Sequence, residues 1–261
     1  GIVGFKPTYG RISRYGLFAF ASSLDHVGIF ARNVKDVAIV TDVLKGNDTN
    51  DMTSLEDDNI KYADNLDNEI KGRKLFYIKE IVDKSKYTNP NTMKFMDNID
   101  KLRELGLVIE EVSIDKKLLE AVYPTYNIIS CAEATSNNAN LTGILYGPRS
   151  DKDNINDMIF DARTKGFSEL IKRRFVIGSY VLQKENQDKL FLNACRVRRI
   201  IVDKINDLFK EYDGYILPTS GIAPLLEDAS DKLTEEYLIL ENHLQIGNFG
   251  GFPSITIPCG Y

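Results

Sequence analysis

Tryptophan is absent from this sequence of 261 residues, and histidine and cysteine are scarce, with two and three copies. The two histidines, His26 and His243, are far apart in the chain. That argues against a histidine-rich zinc site and against a histidine-based catalytic centre. The cysteines, Cys131, Cys195 and Cys259, make no CxxC pair and leave one odd thiol, which reads as reduced residues of a cytoplasmic protein rather than a disulfide frame. No apolar run reaches the roughly 18–20 residues needed to cross a bilayer, and the first residues carry no signal-peptide pattern, so no membrane association is expected. A basic excess is also missing: 33 Lys and Arg against 38 Asp and Glu give a net charge of −5. That argues against a general nucleic-acid-binding surface, though not against a small basic patch touching RNA.

What is present is ordinary globular composition, 43% apolar and 27% charged, in a chain long enough for one large or two small cores. The chain opens on Gly1-Ile2-Val3-Gly4-Phe5 and closes on Pro253-Ser254-Ile255-Thr256-Ile257-Pro258, both with the look of a domain interior, so it is expected to be a piece of a longer protein.

Residues 1–30 alternate short apolar stretches with glycine and proline, as short strands and tight loops do. Asn33 is placed to cap a helix whose apolar stripe runs from Val34 to Leu44, with Gly46 beyond it. Residues 47–72 read as a polar surface excursion. Leu75–Ile78 and Leu107–Ile114 are strand-like and flank an amphipathic helix over Thr92–Leu105, a βαβ pattern that predicts a parallel pair. Helices are expected over Leu118–Asn137, Phe167–Gln183, Gln187–Tyr212 and near Thr234–Ile246, with a polar loop over 147–158 and strands at Gly214–Pro218 and Ser254–Pro258. The fold class is α/β, a mixed β-sheet flanked by helices.

Catalytic spacings return little. The sequence contains no GxSxG, GxxxxGK[ST], HExxH or GxGxxG. Gly250-Gly251 precedes a strand and is not a phosphate loop, and the acidic pairs Asp57/Asp58 and Asp151/Asp153 read as solvated surface.

The wording of the sequence says more. Gly4-Phe5-Lys6-Pro7-Thr8-Tyr9-Gly10-Arg11, then Phe20-Ala21-Ser22-Ser23-Leu24-Asp25, Glu133-Ala134-Thr135-Ser136-Asn137, Lys172-Arg173-Arg174, Pro218-Thr219 and Asn248-Phe249-Gly250-Gly251-Phe252-Pro253 follow one another along nearly the whole chain. This ordered set closely resembles the amidase-signature family, and within it the A subunits of tRNA-dependent amidotransferases. The resemblance implies that residues 1–261 are part of a single amidase-signature domain, incomplete at both ends. It implies glutamine hydrolysis that supplies ammonia for converting Glu-tRNA(Gln) to Gln-tRNA(Gln), or Asp-tRNA(Asn) to Asn-tRNA(Asn). Family chemistry uses a Ser–cis-Ser–Lys triad, all of which would lie upstream of Gly1. No GGSSGG-like stretch occurs here, and Ser22-Ser23 belongs to another landmark. No catalytic residue and no metal ligand is therefore expected in this chain.

The same resemblance carries glutamine recognition onto Tyr126, Arg174 and Glu241. An arginine grips an α-carboxylate bidentately, an acidic side chain holds the α-ammonium, and a tyrosyl hydroxyl adds a hydrogen bond. Glu241 stands where many family members are expected to have Asp. No cofactor is expected in the chain itself: ATP and Mg²⁺ would be used by a partner B subunit, which would also carry most contacts to mischarged tRNA, with a small C subunit completing the assembly. Plainer roles compete: Arg174 as one of three consecutive surface cations, Tyr126 as a core tyrosine, Glu241 as a surface carboxylate, Glu133 as a helix cap or bridge, and Cys131 and His26 as structural residues. Two rival readings of the whole are a different amide hydrolase of the same fold and a non-catalytic scaffold or interaction fragment.

Overall fold

A computed structural model describes residues 2–82, 90–219 and 242–259. Their element order is β1 (Val3–Lys6), β2 (Ile29–Ala31), α1 (Val34–Leu44), β3 (Lys74–Ile78), α2 (Pro90–Glu104), β4 (Val108–Val112), α3 (Lys116–Glu120), α4 (Val122–Asn137), α5 (Ile155–Gly166), α6 (Glu169–Val181), α7 (Lys184–Gln187), α8 (Asn193–Leu208), β5 (Gly214–Tyr215), α9 (Gln245–Gly250) and β6 (Ser254–Thr256). The chain divides into two compact units, one formed by residues 1–15, 26–123 and 199–261, the other by 16–25 and 124–198.

The first unit holds two three-stranded sheets. In one, β1 pairs antiparallel with both β2 and β6; in the other, β3 pairs parallel with both β4 and β5. The α/β class and the mixed strand directions stand, with parallel and antiparallel pairings carried by separate sheets. β3 is central in the parallel sheet, and Phe76, Tyr77 and Ile78 are all buried, the continuous apolar run such a strand requires. Successive side chains leave a strand on opposite faces. Phe76 accordingly packs against Phe209, Tyr212 and Tyr215, while Tyr77 meets Phe95 of α2 and joins a core with Val82, Ile99 and Ile109. Tyr212 donates to Glu110 at 2.6 Å, a bond that pushes its hydroxyl pKa up to about 12. The predicted βαβ unit is thus present at its predicted place.

Asn33 caps α1 by accepting the Asp36 N–H at 2.8 Å. Residues 47–72, expected as a solvated excursion, fold back on that helix. Asp42 accepts the N–H groups of Tyr62 and Ala63 at 2.8 and 3.0 Å. The Lys45 ammonium, its side chain 2% exposed, pairs with Asp57 at 2.7 Å and with Asp58, which also receives Arg11 at 3.2 Å and the Tyr62 hydroxyl. The solvated-surface reading is corrected for Asp58, while Asp57 is exposed as expected though paired: an inaccessible ammonium needs its countercharge beside it. Lys45 first, then Tyr62, holds the Asp58 carboxyl well below the usual carboxylate range. A carboxyl with a folded pKa below its unfolded value stabilises the fold above that unfolded value and loses the contribution as pH falls towards the folded one. The urea midpoint should therefore drop between pH 5 and pH 2, and Asp58→Asn should flatten that drop while lowering the midpoint at pH 6.

The second unit is helical. The single helix predicted over 118–137 breaks at Ala121 into α3, which belongs to the first unit, and α4. The predicted 187–212 helix is α7 and α8 joined through a π-helical turn, Asp188–Leu192. The polar loop expected over 147–158 ends early, because Asn154 caps α5 by accepting the Asn156 N–H at 2.8 Å. Arg163 of α5 stacks on Phe167 and Phe175 and donates to the carbonyls of Asn138 and Leu141, tying down the chain that leaves α4. Most of the helix expected near 234–246 lies outside the described residues, which begin again with a 3₁₀ turn, Asn242–Leu244.

Candidate functional site

The second unit builds its most connected polar cluster around the turn Phe20–Asp25. The Asp25 carboxylate accepts the N–H groups of Phe20 and Ala21 at 2.9 and 3.0 Å, and the Leu24 and Asp25 N–H groups donate to the Ala21 carbonyl, each at 2.8 Å. The turn is closed on itself before anything else touches it. Glu133 and Asn137, four residues apart on α4 and so on one face, then grip it. Glu133 accepts the Ser23 N–H at 2.9 Å and the Ser23 hydroxyl at 2.6 Å. Asn137 donates to the Phe20 carbonyl at 3.1 Å and the Ser22 hydroxyl at 3.0 Å. Arg198 of α8 donates to the Ser23 hydroxyl at 2.8 Å and its carbonyl at 3.0 Å. Phe20 of this turn lies against Arg174, whose guanidinium is over the ring at 5.3 Å.

The three consecutive cations on α6 meet different fates. Lys172 pairs with Glu169 at 2.6 Å and Arg173 is exposed. Arg174 is half-buried, and no carboxylate among the described residues pairs with it. Below it α6 crosses α4 closely. A side chain at Gly178 would put its Cβ 2.1 Å from the Cys131 carbonyl oxygen and 2.1 Å from Thr135 Oγ1, whose hydroxyl donates to that same carbonyl at 2.8 Å. Burial pushes the Cys131 thiol pKa up, opposed by the Arg174 charge. Cys131, wholly buried, is the small core residue the sequence suggested.

Of the three residues expected to hold glutamine, Tyr126 and Arg174 are half-buried on α4 and α6 of one unit, two helices in direct contact through Gly178. Glu241 lies outside the described residues. Sequence reasoning missed Arg198 altogether and gave Glu133 no partner. The one available signal was that Ser23 and Glu133 both sit in shared landmarks.

A second cluster gathers landmark residues within the first unit. The Tyr9 N–H donates to the Gly251 carbonyl at 3.0 Å, and Lys6 Nζ donates to the carbonyls of Phe252 and Pro7. Burial brings the Lys6 pKa down to about 8. Gly251 has φ +66°, a left-handed conformation natural to glycine, and a Cβ there would sit 2.9 Å from that of Tyr9. His26 stands edge-on to Tyr9 and contacts Asn248 at 3.4 Å. Among the described residues no group of acidic, histidine or cysteine side chains is arranged to hold a metal ion, and no helix is long and apolar enough to cross a membrane.

A family model described as Amidase matches residues 1–261, and the chain belongs to that family. It is 39% identical over 263 residues to the A subunit of the glutamyl-tRNA(Gln) amidotransferase of Syntrophomonas wolfei, covering 99% of this chain and 53% of the relative. It is 36% identical to the protein of the same name from Halothermothrix orenii, covering 54% of it. Among solved structures, it matches the A subunit of the glutamyl-tRNA(Gln) amidotransferase of Thermotoga maritima with a TM-score of 0.73 at 30% identity, over 100% of this chain and 51% of that one. The chain thus spans about half the length of the relatives it matches.

Proposed function

We propose that this chain is the substrate-recognition part of the glutamine-hydrolysing A subunit of a tRNA-dependent amidotransferase. One observation carries the reading: a half-buried arginine, stacked on an aromatic ring, with no carboxylate partner among the described residues. A desolvated guanidinium without a countercharge is costly, and the α-carboxylate of glutamine supplies one with matching bidentate geometry. An apolar amide would offer the guanidinium no carboxylate, which favours the amino-acid substrate over other amides of the fold. Tyr126 adds a hydrogen bond and Glu241 holds the α-ammonium. In the complete protein the released ammonia serves the conversion of Glu-tRNA(Gln) to Gln-tRNA(Gln), the reaction in the relatives' name. The corresponding conversion of Asp-tRNA(Asn) to Asn-tRNA(Asn) is the alternative reaction. Partner B and C subunits complete the assembly; ATP, Mg²⁺ and most of the tRNA contact belong to B.

The test compares glutamine with ammonia as nitrogen donor in the complete assembly. Support from both, with glutamine saturating, is the expected result; use of ammonia alone would sink the reading. Residues 1–261 by themselves, without the Ser–cis-Ser–Lys triad, should release no ammonia from glutamine above the buffer rate in a coupled ammonia assay.

A further inference from the structure

Arg174 is poorly suited to fixing its own position. Its side chain is long and rotamer-rich, and its described contacts are a ring face and the field it exerts at Cys131. The ring is therefore the reference against which the guanidinium plane is set, and the question becomes what fixes the ring. Phe20 is carried by a turn whose backbone is anchored at both ends. Its N–H is held by Asp25 and its carbonyl by Asn137, and three residues on, both the N–H and hydroxyl of Ser23 are held by Glu133. Both Glu133 oxygens are taken up by Ser23, so this carboxylate is engaged away from any ligand. The Ser23 hydroxyl proton goes to Glu133 at 2.6 Å, which leaves its lone pairs to Arg198 at 2.8 Å. The serine thus links an acid on α4 to a base on α8.

We propose that Glu133, acting through Ser23 and Arg198, is the positioning residue for Arg174: it seats the Phe20 ring and thereby aims the guanidinium edge that receives the substrate carboxylate. The inference rests on the reading of Arg174 as the glutamine carboxylate anchor. Glu133 touches no substrate. Its effect passes through two backbone segments and one ring, and it falls on substrate affinity rather than on the chemical step.

Steady-state glutamine hydrolysis by the complete protein tests this. Glu133→Gln keeps an acceptor but loses the charge and one of the two paired oxygens. It should raise the KM for glutamine about tenfold while kcat stays within about twofold. Phe20→Leu, which keeps apolar bulk and removes the ring face, should give a KM shift of the same size. Ser23→Ala should shift KM about threefold and carries the test if Glu133→Gln does not fold. In an Arg174→Ala background Glu133→Gln should add nothing, since the two act as one unit. An unchanged KM in Glu133→Gln, Ser23→Ala and Phe20→Leu alongside a large effect of Arg174→Ala would overturn the proposal, as would a Glu133→Gln effect persisting in full without Arg174 or falling on kcat. An unchanged KM in Arg174→Ala would overturn the glutamine reading itself.

Discussion

Arg174→Ala in the complete protein should raise the KM for glutamine by about 100-fold and leave ammonia-supported amidation of the charged tRNA close to wild type. Removing one member of a desolvated, hydrogen-bonded charge pair costs about 2–5 kcal/mol, and each 1.4 kcal/mol is tenfold in affinity. A 100-fold change thus sits in the lower half of that range, in keeping with an arginine that is half-buried rather than sealed. The donor comparison separates this role from a structural one, since a general loss of fold would take the ammonia reaction with it. Arg174→Lys should recover only part of the loss. It keeps the charge, but a single ammonium reproduces neither the planar fork nor the stacking on Phe20. A neighbouring substitution, Arg173→Ala, changes an exposed side chain on the same helix and should leave KM where it is.

Gly178→Ala should be the most damaging single-methyl substitution in the helical unit, lowering stability by about 2 kcal/mol in urea titrations. Two terms oppose each other. Alanine in place of glycine inside a helix ordinarily gains about 1 kcal/mol from propensity and backbone entropy. Overpacking typically costs about 1–3 kcal/mol. Here the added methyl would stand 2.1 Å from the Cys131 carbonyl oxygen and 2.7 Å from its carbonyl carbon. Because the obstacle is backbone, no rotamer change relieves it, and the cost lies at the top of that range. The clash outweighs the gain. Gly166→Ala is the matching control: it closes α5 with nothing within 4 Å of its Cβ position, so only the propensity term acts and the protein should hold or gain stability. Opposite signs for the two substitutions are the expected outcome.

Much of this molecule could be read in advance because its signals are local. Asn33 as a cap, the stripe behind it and the β3–α2–β4 sequence each depend on residues within a turn or two. The α5 helix escaped because none of its residues is buried, so it writes no apolar stripe. Its N-cap, Asn154, was the available cue. The fold-back of 47–72 escaped for a different reason: acidic loops are normally solvated, and nothing in the chain announces that Lys45 will be inaccessible. In the site, Arg174 stood out only through its shared landmark, since composition cannot tell it from Lys172 or Arg173. The link from Ser23 to Glu133 spans 110 positions and that to Arg198 spans 175. Pattern reading has no grip at that range, and tertiary placement alone makes the turn a brace.

Those same separations bear on how the protein is made. The ten residues 16–25 leave the ribosome before 124–198, yet Glu133, Asn137 and Arg198, which fasten them from outside the turn, all come from that later stretch. At about 5–20 residues per second, the codon for Arg198 is reached roughly 10–35 s after that for Ser23. During that interval the Ser23 hydroxyl and carbonyl lack the Arg198 guanidinium. The turn is therefore a late-closing latch: the helical unit cannot finish until its earliest segment is captured by its latest one, and a nascent chain halted before residue 198 should leave it open to protease.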